Sequence, residues 1–258
     1  MLRYHEIAEA DHRILNPFTE HKLALLGEVC RLRPGQRLLD LACGKGELLC
    51  QWARRHGITG VGVDLSEVFL AAARARADEL GVAGQVELVS GDAAGYRAEP
   101  GGFDVVSCLG ATWIGDGLVG TLELMRPAVR ADGLLLVGEP YWTEPPPPAA
   151  YHALGIAPDQ CASLAGTLDR FAGAGLELVE MVLADGDSWD RYAAAQWWTI
   201  DRWLRAHPDH PDAPAMREFL SQARHAHLAY SRDFLGWGVF VLRPPEAEPA
   251  TPSDSRQQ

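Results

Sequence analysis

No stretch of the 258-residue chain approaches the roughly 18 consecutive apolar residues that a bilayer-spanning helix needs, so no membrane partner is expected. The opening Met1-Leu2-Arg3-Tyr4-His5-Glu6 has no apolar segment of the secretory kind and brings in an acid early, which predicts a cytoplasmic location. Cysteine is scarce and unpaired. The five residues Cys30, Cys43, Cys50, Cys108 and Cys161 are odd in number and contain no C-x-x-C spacing, which argues against both a disulfide framework and a zinc site; no metal is expected. A basic cluster is missing too. With a formal charge of −12 and a pI near 5.2 the chain repels polyanions, and nucleic acid is disfavoured as a partner. The 47% hydrophobic content is that of an ordinary globular protein, and the length suits one α/β domain spanning 1–243, as a monomer or homodimer.

What is present is organised around Leu38-Leu39-Asp40-Leu41-Ala42-Cys43-Gly44-Lys45-Gly46-Glu47-Leu48-Leu49. A short apolar strand ends in an acid, turns through two glycines and continues as an amphipathic helix from about Glu47. Gly44 and Gly46 lack a Cβ, so the backbone can turn sharply and a ligand can lie against it, while the helix start offers unpaired N–H groups. A polar cofactor is the expected occupant. The dinucleotide pattern G-x-G-x-x-G requires a small residue at position 49, where the chain has Leu49. That weighs against NAD(P), as does the lack of an obvious Tyr-x-x-x-Lys pair, although an NAD(P)-dependent Rossmann oxidoreductase stays open as the alternative.

The strand–helix alternation then repeats. Helix 46–56 leads to strand Thr59–Asp64, helix 66–80 to strand Gln85–Ser90, and Phe103–Gly110 is a nearly continuous apolar run suited to a central strand covered on both faces. A helix around 117–130 precedes a fifth strand, Gly133–Trp142. Asp64 ends its strand 18 residues after Gly46, the right separation for a carboxylate that accepts hydrogen bonds from ribose hydroxyls, with Ser66 as the better helix cap. Five strands alternating with helices predict a doubly wound parallel sheet. Upstream, 1–36 reads as a helical cap with a helix over Phe18–Leu32. Downstream, Glu144-Pro145-Pro146-Pro147-Pro148 reads as a stiff loop, followed by helix 163–173, strand 176–184, a helical insertion from Ser188 to about Ser231 and a last strand, Gly236–Leu242. The segment 244–258, rich in Pro, Glu and Ser, is expected to be disordered.

Asp40, Ala42, Gly44 and Gly46 resemble the first motif of the class I S-adenosylmethionine-dependent methyltransferases, with Ala42 standing where that family most often has glycine. Asn16-Pro17-Phe18-Thr19-Glu20, Gly110-Ala111-Thr112-Trp113-Ile114, Gly138-Glu139-Pro140-Tyr141-Trp142 and Gly236-Trp237-Gly238-Val239-Phe240 are similar to a YjhP-like bacterial subgroup of that family. The resemblance implies an α/β, Rossmann-like methyltransferase sheet whose last strand is antiparallel, and S-adenosyl-L-methionine as cofactor, leaving as S-adenosyl-L-homocysteine. It implies a cofactor site formed by Asp40, Ala42, Cys43, Gly44 and Gly46 at the amino-acid end, Asp64 and Leu65 at the ribose, Asp92 and Ala93 at the adenine, and Leu109 and Gly110 facing the sulfonium through backbone atoms. The expected reaction is methyl transfer to an O, N or S atom of a small-molecule acceptor, with a non-catalytic cofactor-binding module as a further alternative. Glu139 is the best-placed base or amine anchor, with Tyr141 beside it. Asn16, Phe18, Trp113, Tyr141, Trp142, Trp198 and Trp237 are the candidate substrate contacts, and Tyr4, His5 and His12 are further residues of the cap that a pocket could use. Acid plus aromatics suits a small, partly apolar, cationic acceptor. Of Trp197, Trp198 and Trp203, at least one is expected to be core.

Overall fold

The computed structural model describes residues 2–245. Seven strands form one sheet in the order β3-β2-β1-β4-β5-β7-β6. Five strands, β1 (Arg37–Leu41), β2 (Thr59–Asp64), β3 (Val86–Ser90) at one edge, β4 (Phe103–Leu109) and β5 (Val129–Trp142), pair in parallel. β6 (Glu177–Leu183) and β7 (Leu235–Arg243) complete it, and β7 runs antiparallel to both of its neighbours. This is the expected mostly parallel sheet with a reversed last strand.

Alternating residues of the strands go to opposite faces, as a period of two requires. Leu39, Val106, Val137 and Phe240 join one core cluster, while Leu38, Val105, Leu136 and Val239 join another. Both faces are therefore buried. The N-terminal α1 (Leu2–Ala8) and α2 (Glu20–Val29) precede the sheet, and α3 (Glu47–His56) and α4 (Glu67–Glu79) connect its first three strands. α5 (Leu118–Met125) leads into β5, followed by α6 (Pro148–Leu154) and α7 (Leu164–Gly173); α8 (Gly186–Ala206) and α9 (Ala213–Ala226) form the insertion before β7. Starts are set by side-chain caps: Thr19, Ser66, Ser163 and Asp185 each accept an N–H from the first turn that follows. A third apolar cluster, with Ala8, Ile200, Met216 and Leu220 at its centre and Trp197 and Trp203 against it, docks α1 onto the insertion. Both tryptophans are thus packing residues.

Three expectations need correction. The helix expected over 18–32 covers only Glu20–Val29, because Thr19 caps it and the chain turns at Arg31, which has a positive φ. The helix expected to reach 130 stops at Met125, since Pro127 lacks the N–H that would continue it, and β5 accordingly begins at Val129. The proline run does not stay a loop to its end: Pro148 occupies the first turn of α6, where a missing N–H is harmless. The expected disorder of 244–258 lies outside the described residues, apart from Pro244 and Pro245.

Candidate active site

The carboxyl ends of β1, β2 and β4 open onto one cavity of about 190 Å³. Its acidic wall is built strand by strand. Asp40, on β1, is only 3% exposed, and one of its oxygens accepts a hydrogen bond from Ser107 Oγ at 2.7 Å. Burial and the nearby Asp64 carboxylate push Asp40 up to about 7, against the pull of Ser107. Asp64, ending β2, accepts the N–H of Gly44 at one oxygen and of Ser66 at the other, both at 2.8 Å. The carboxylate expected to be left free by the Ser66 cap is thus also a brace of the glycine loop, although each oxygen keeps a second lone pair. Asp92 accepts the N–H of Ala94 with one oxygen, at 3.0 Å.

The glycine loop itself sits tightly under the N-terminal segment. A Cβ on Gly44 would lie 2.7 Å from Leu15, and its φ of +55° is one that side chains disfavour. Ala42 has φ +56°, so the alanine in place of glycine carries a conformational cost rather than one of bulk. Lys45 Nζ reaches out of the loop to the carbonyls of Glu9, Ala10 and His12, at 2.7, 2.9 and 2.6 Å. Those bonds tie down the chain just after α1. Glu9, fully buried, accepts from Tyr192 and Gln196 of α8, which links the same segment to the insertion. Behind the loop, Arg76 meets Glu47 through two hydrogen bonds of 2.9 and 2.8 Å and fixes the start of α3 against α4.

Of the eleven expected cofactor residues, Asp40, Ala42, Cys43, Gly44, Asp64 and Leu65 line the cavity, as do Asp92, Ala93, Leu109 and Gly110. Gly46 does not line it; it caps α3, and a Cβ there would lie 3.0 Å from Ala73. The amino-acid side of S-adenosylmethionine brings an ammonium, its ribose two hydroxyls and its adenine an amino group, all donors. Three carboxylates at successive strand ends, Asp40 buried, Asp64 half-buried and Asp92 exposed, with Leu65, Ala93, Leu109 and Ile114 as apolar surface, fit that set. Leu49 is fully buried, against the backbone of Gly60. It fills the helix–sheet contact where a dinucleotide fold brings its third glycine.

A second, wider cavity of about 810 Å³ adjoins the first, and Gly110 and Trp113 line both. Glu139 lies in its wall, 5% exposed, and Thr112 Oγ1 donates to its Oε2 at 2.7 Å. Burial pushes Glu139 up to about 7, opposed by the Thr112 hydrogen bond and by Arg170. Trp237 stands at the junction. A Cβ on Gly138 would lie 2.7 Å from its indole and one on Gly110 3.7 Å away, so the two glycines leave it room.

Among the expected substrate contacts, Asn16 and Trp113 line the first cavity, and Trp113 and Trp237 the second. Others lie elsewhere. Phe18 packs edge-on behind Trp237 with ring centroids 4.9 Å apart. Tyr141 is buried in the apolar core, its ring across Gly236, and burial raises its phenol. Trp142 is buried edge-on against Tyr151. Trp198 is 67% exposed on α8 and lines neither cavity. Within the cap His5 lines the first cavity, whereas Tyr4 packs toward the insertion and His12 Nε2 is hydrogen-bonded to the Tyr192 carbonyl. Sequence reasoning passed over Lys45, Thr112, Arg170 and Trp189. Lys45 had a legible signal, a lone cation inside the glycine loop; the other three come together only through the fold.

A reversed last strand, a glycine loop after β1 and an acid after each of the next two strands define a methyl-donor-binding fold, and comparison with known proteins agrees. The family described as Methyltransferase domain matches residues 38–133. Protein YjhP of Escherichia coli (strain K12) is 47% identical over 242 residues, covering 93% of this chain and 97% of that one. A crystal structure of an S-adenosylmethionine-dependent methyltransferase from Geobacter sulfurreducens, in complex with S-adenosyl-L-homocysteine, has 46% identity and a TM-score of 0.90, covering 94% of this chain and 98% of that one. One from Thiobacillus denitrificans, in the same complex, has the same identity, TM-score and coverage. The chain belongs to the S-adenosylmethionine-dependent methyltransferases.

Proposed function

We propose that the chain transfers a methyl group to an O, N or S atom of a small molecule held in the second cavity, with Glu139 as its base. The observation that carries this reading is the meeting of two cavities at Gly110 and Trp113, an acidic pocket on one side and a buried carboxylate on the other. S-adenosylmethionine supplies a methyl group already activated on a sulfonium, so the protein's task is alignment, exclusion of water and proton removal.

Asp40, with Asp64 beside it, takes the cofactor's ammonium, directly or through water, and that cation favours the ionised form of Asp40. Asp64 uses its remaining lone pairs for the ribose hydroxyls, and the free oxygen of Asp92 accepts the adenine amino group. Lys45 keeps the N-terminal segment over the pocket and water out. Across the junction Glu139 takes a proton from the acceptor, and the Thr112 hydroxyl holds its carboxylate in place.

The test uses methyl-labelled S-adenosylmethionine with fractionated small-molecule extracts, reading labelled product and S-adenosylhomocysteine release. Glu139→Gln should slow release at least a hundredfold while S-adenosylhomocysteine affinity stays within twofold. Undiminished turnover in that variant would remove Glu139 from the chemistry. Binding without turnover across all fractions would favour a non-catalytic module.

A further inference from the structure

The second cavity carries chemistry of its own. Glu139 Oε2 is held by Thr112, but among the described residues no hydrogen bond from a protein donor reaches Oε1. Oε1 is not sealed from solvent, so its lone pairs stay open to a donor that enters the cavity. The wall around it is aromatic and acidic: Trp113, Trp189 and Trp237 line the cavity, with Asp116 and Asp159. Among the described residues Arg170 is the one arginine or lysine in that wall, and its guanidinium donates to the backbone carbonyls of Asp159 and Gln160, at 2.6 and 3.0 Å. It serves there as a brace. Carboxylates and indole faces together attract a cation, and more strongly where water is thinned out.

We propose that the acceptor is an amine: a primary or secondary ammonium group on a small, partly apolar molecule binds between Glu139 and the indoles of Trp113, Trp189 and Trp237, and its nitrogen is the atom methylated. This rests on the methyl-transfer reading above and names its substrate class. An ammonium donates to Glu139 Oε1 and completes the carboxylate. It must then lose a proton, because only a neutral amine has a lone pair. Glu139, raised toward 7 by burial and lowered again by a bound cation, takes that proton and passes it to water at the open side of the cavity. The charged groups facing it are Asp116, Asp159 and Arg170, and the buried Cys161 thiol is pushed up to about 12 and stays neutral. Methylation then forms a carbon–nitrogen bond as the donor's carbon–sulfur bond breaks, the electron pair going to sulfur and the positive charge to the new ammonium.

The experiment measures binding by intrinsic tryptophan fluorescence and calorimetry on the full chain saturated with S-adenosylhomocysteine. The probes are benzylamine and benzyl alcohol, near-isosteric and differing in charge. The amine should bind at least tenfold tighter, the preference should vanish in Glu139→Gln, and Trp113→Leu should weaken the amine at least threefold. Glu139→Gln keeps the acceptor for Thr112, and Trp113 is 72% exposed, so neither change threatens the fold. Equal affinity for the two probes, no binding of either at about 10 mM, or an unchanged preference in Glu139→Gln would overturn the proposal. The thermal shift with S-adenosylhomocysteine alone separates the two levels: if that ligand fails to stabilise the protein, the underlying reading has failed.

Discussion

The N–H of Gly44 donates to Oδ2 of Asp64 at 2.8 Å, so the carboxylate at the end of β2 holds the loop that follows β1. The same carboxylate also takes the N–H of Ser66. Asp64 therefore shapes the glycine loop by itself, and the ribose role proposed for it builds on a position fixed by these two bonds.

Asp64→Ala removes two backbone partners and the proposed ribose acceptor together. Affinity for S-adenosylhomocysteine should fall about 10- to 100-fold, or about 1.4–3 kcal/mol, by isothermal calorimetry. A loss below threefold would mean that Asp64 acts on the loop alone and that the loop tolerates its absence.

Ala42 offers a test in the opposite direction. Its φ of +56° costs an alanine about 1 kcal/mol relative to glycine, so Ala42→Gly should stabilise the protein by up to that amount in urea denaturation, with cofactor affinity unchanged. Destabilisation would show that the alanine methyl makes a packing contribution larger than its strain.

The sheet was legible because its signals are local. The β2 run ends in Asp64 and the β4 run gives way to Gly110, and Ser66 caps its helix as the sequence implies. The acidic wall was legible for the same reason, since Asp40, Asp64 and Asp92 sit at strand ends that a parallel sheet gathers on one edge. Aromatic contacts were not. Tyr141 and Trp142 neighbour Glu139 in sequence yet are buried in packing, while Trp189 lies 50 residues away from Glu139 and lines its cavity. Burial of an aromatic depends on which neighbours the fold brings, and in Trp198 against Trp197 a one-residue step along a helix separates solvent from core.

Lys45 holds three carbonyls of the N-terminal segment with one ammonium. Lys45→Met should release that segment: hydrogen exchange over residues 2–18 should rise at least tenfold, and S-adenosylhomocysteine should dissociate faster. Unchanged protection there would assign the closure to Leu15 and the Glu9–Tyr192 contact instead.

Asp40 links stability to pH. Its folded value is raised from 3.8 to about 7, first of all by burial. Between those values the folded protein holds a proton that the unfolded chain has released, so stability falls as pH rises from about 4 to about 7 and is flat above. Glu139, raised from 4.5 to about 7, contributes in the same direction. Asp40→Asn, which leaves Ser107 an acceptor, should be more stable than the parent at pH 8 by about 2–4 kcal/mol and nearly equal to it at pH 4. The same variant should bind S-adenosylmethionine more weakly. Greater stability at pH 4 than at pH 8 in both proteins, with no difference between them, would place the titration at Glu139 alone.

A crystal structure with S-adenosylhomocysteine bound would show the whole arrangement at once. Adenine should lie at Asp92 and Ala93, the ribose hydroxyls on Asp64, the amino group at Asp40, and the sulfur at Gly110, facing the cavity that holds Glu139. A sulfur atom turned away from that cavity, or a ligand seated outside the loop at 42–46, would contradict it.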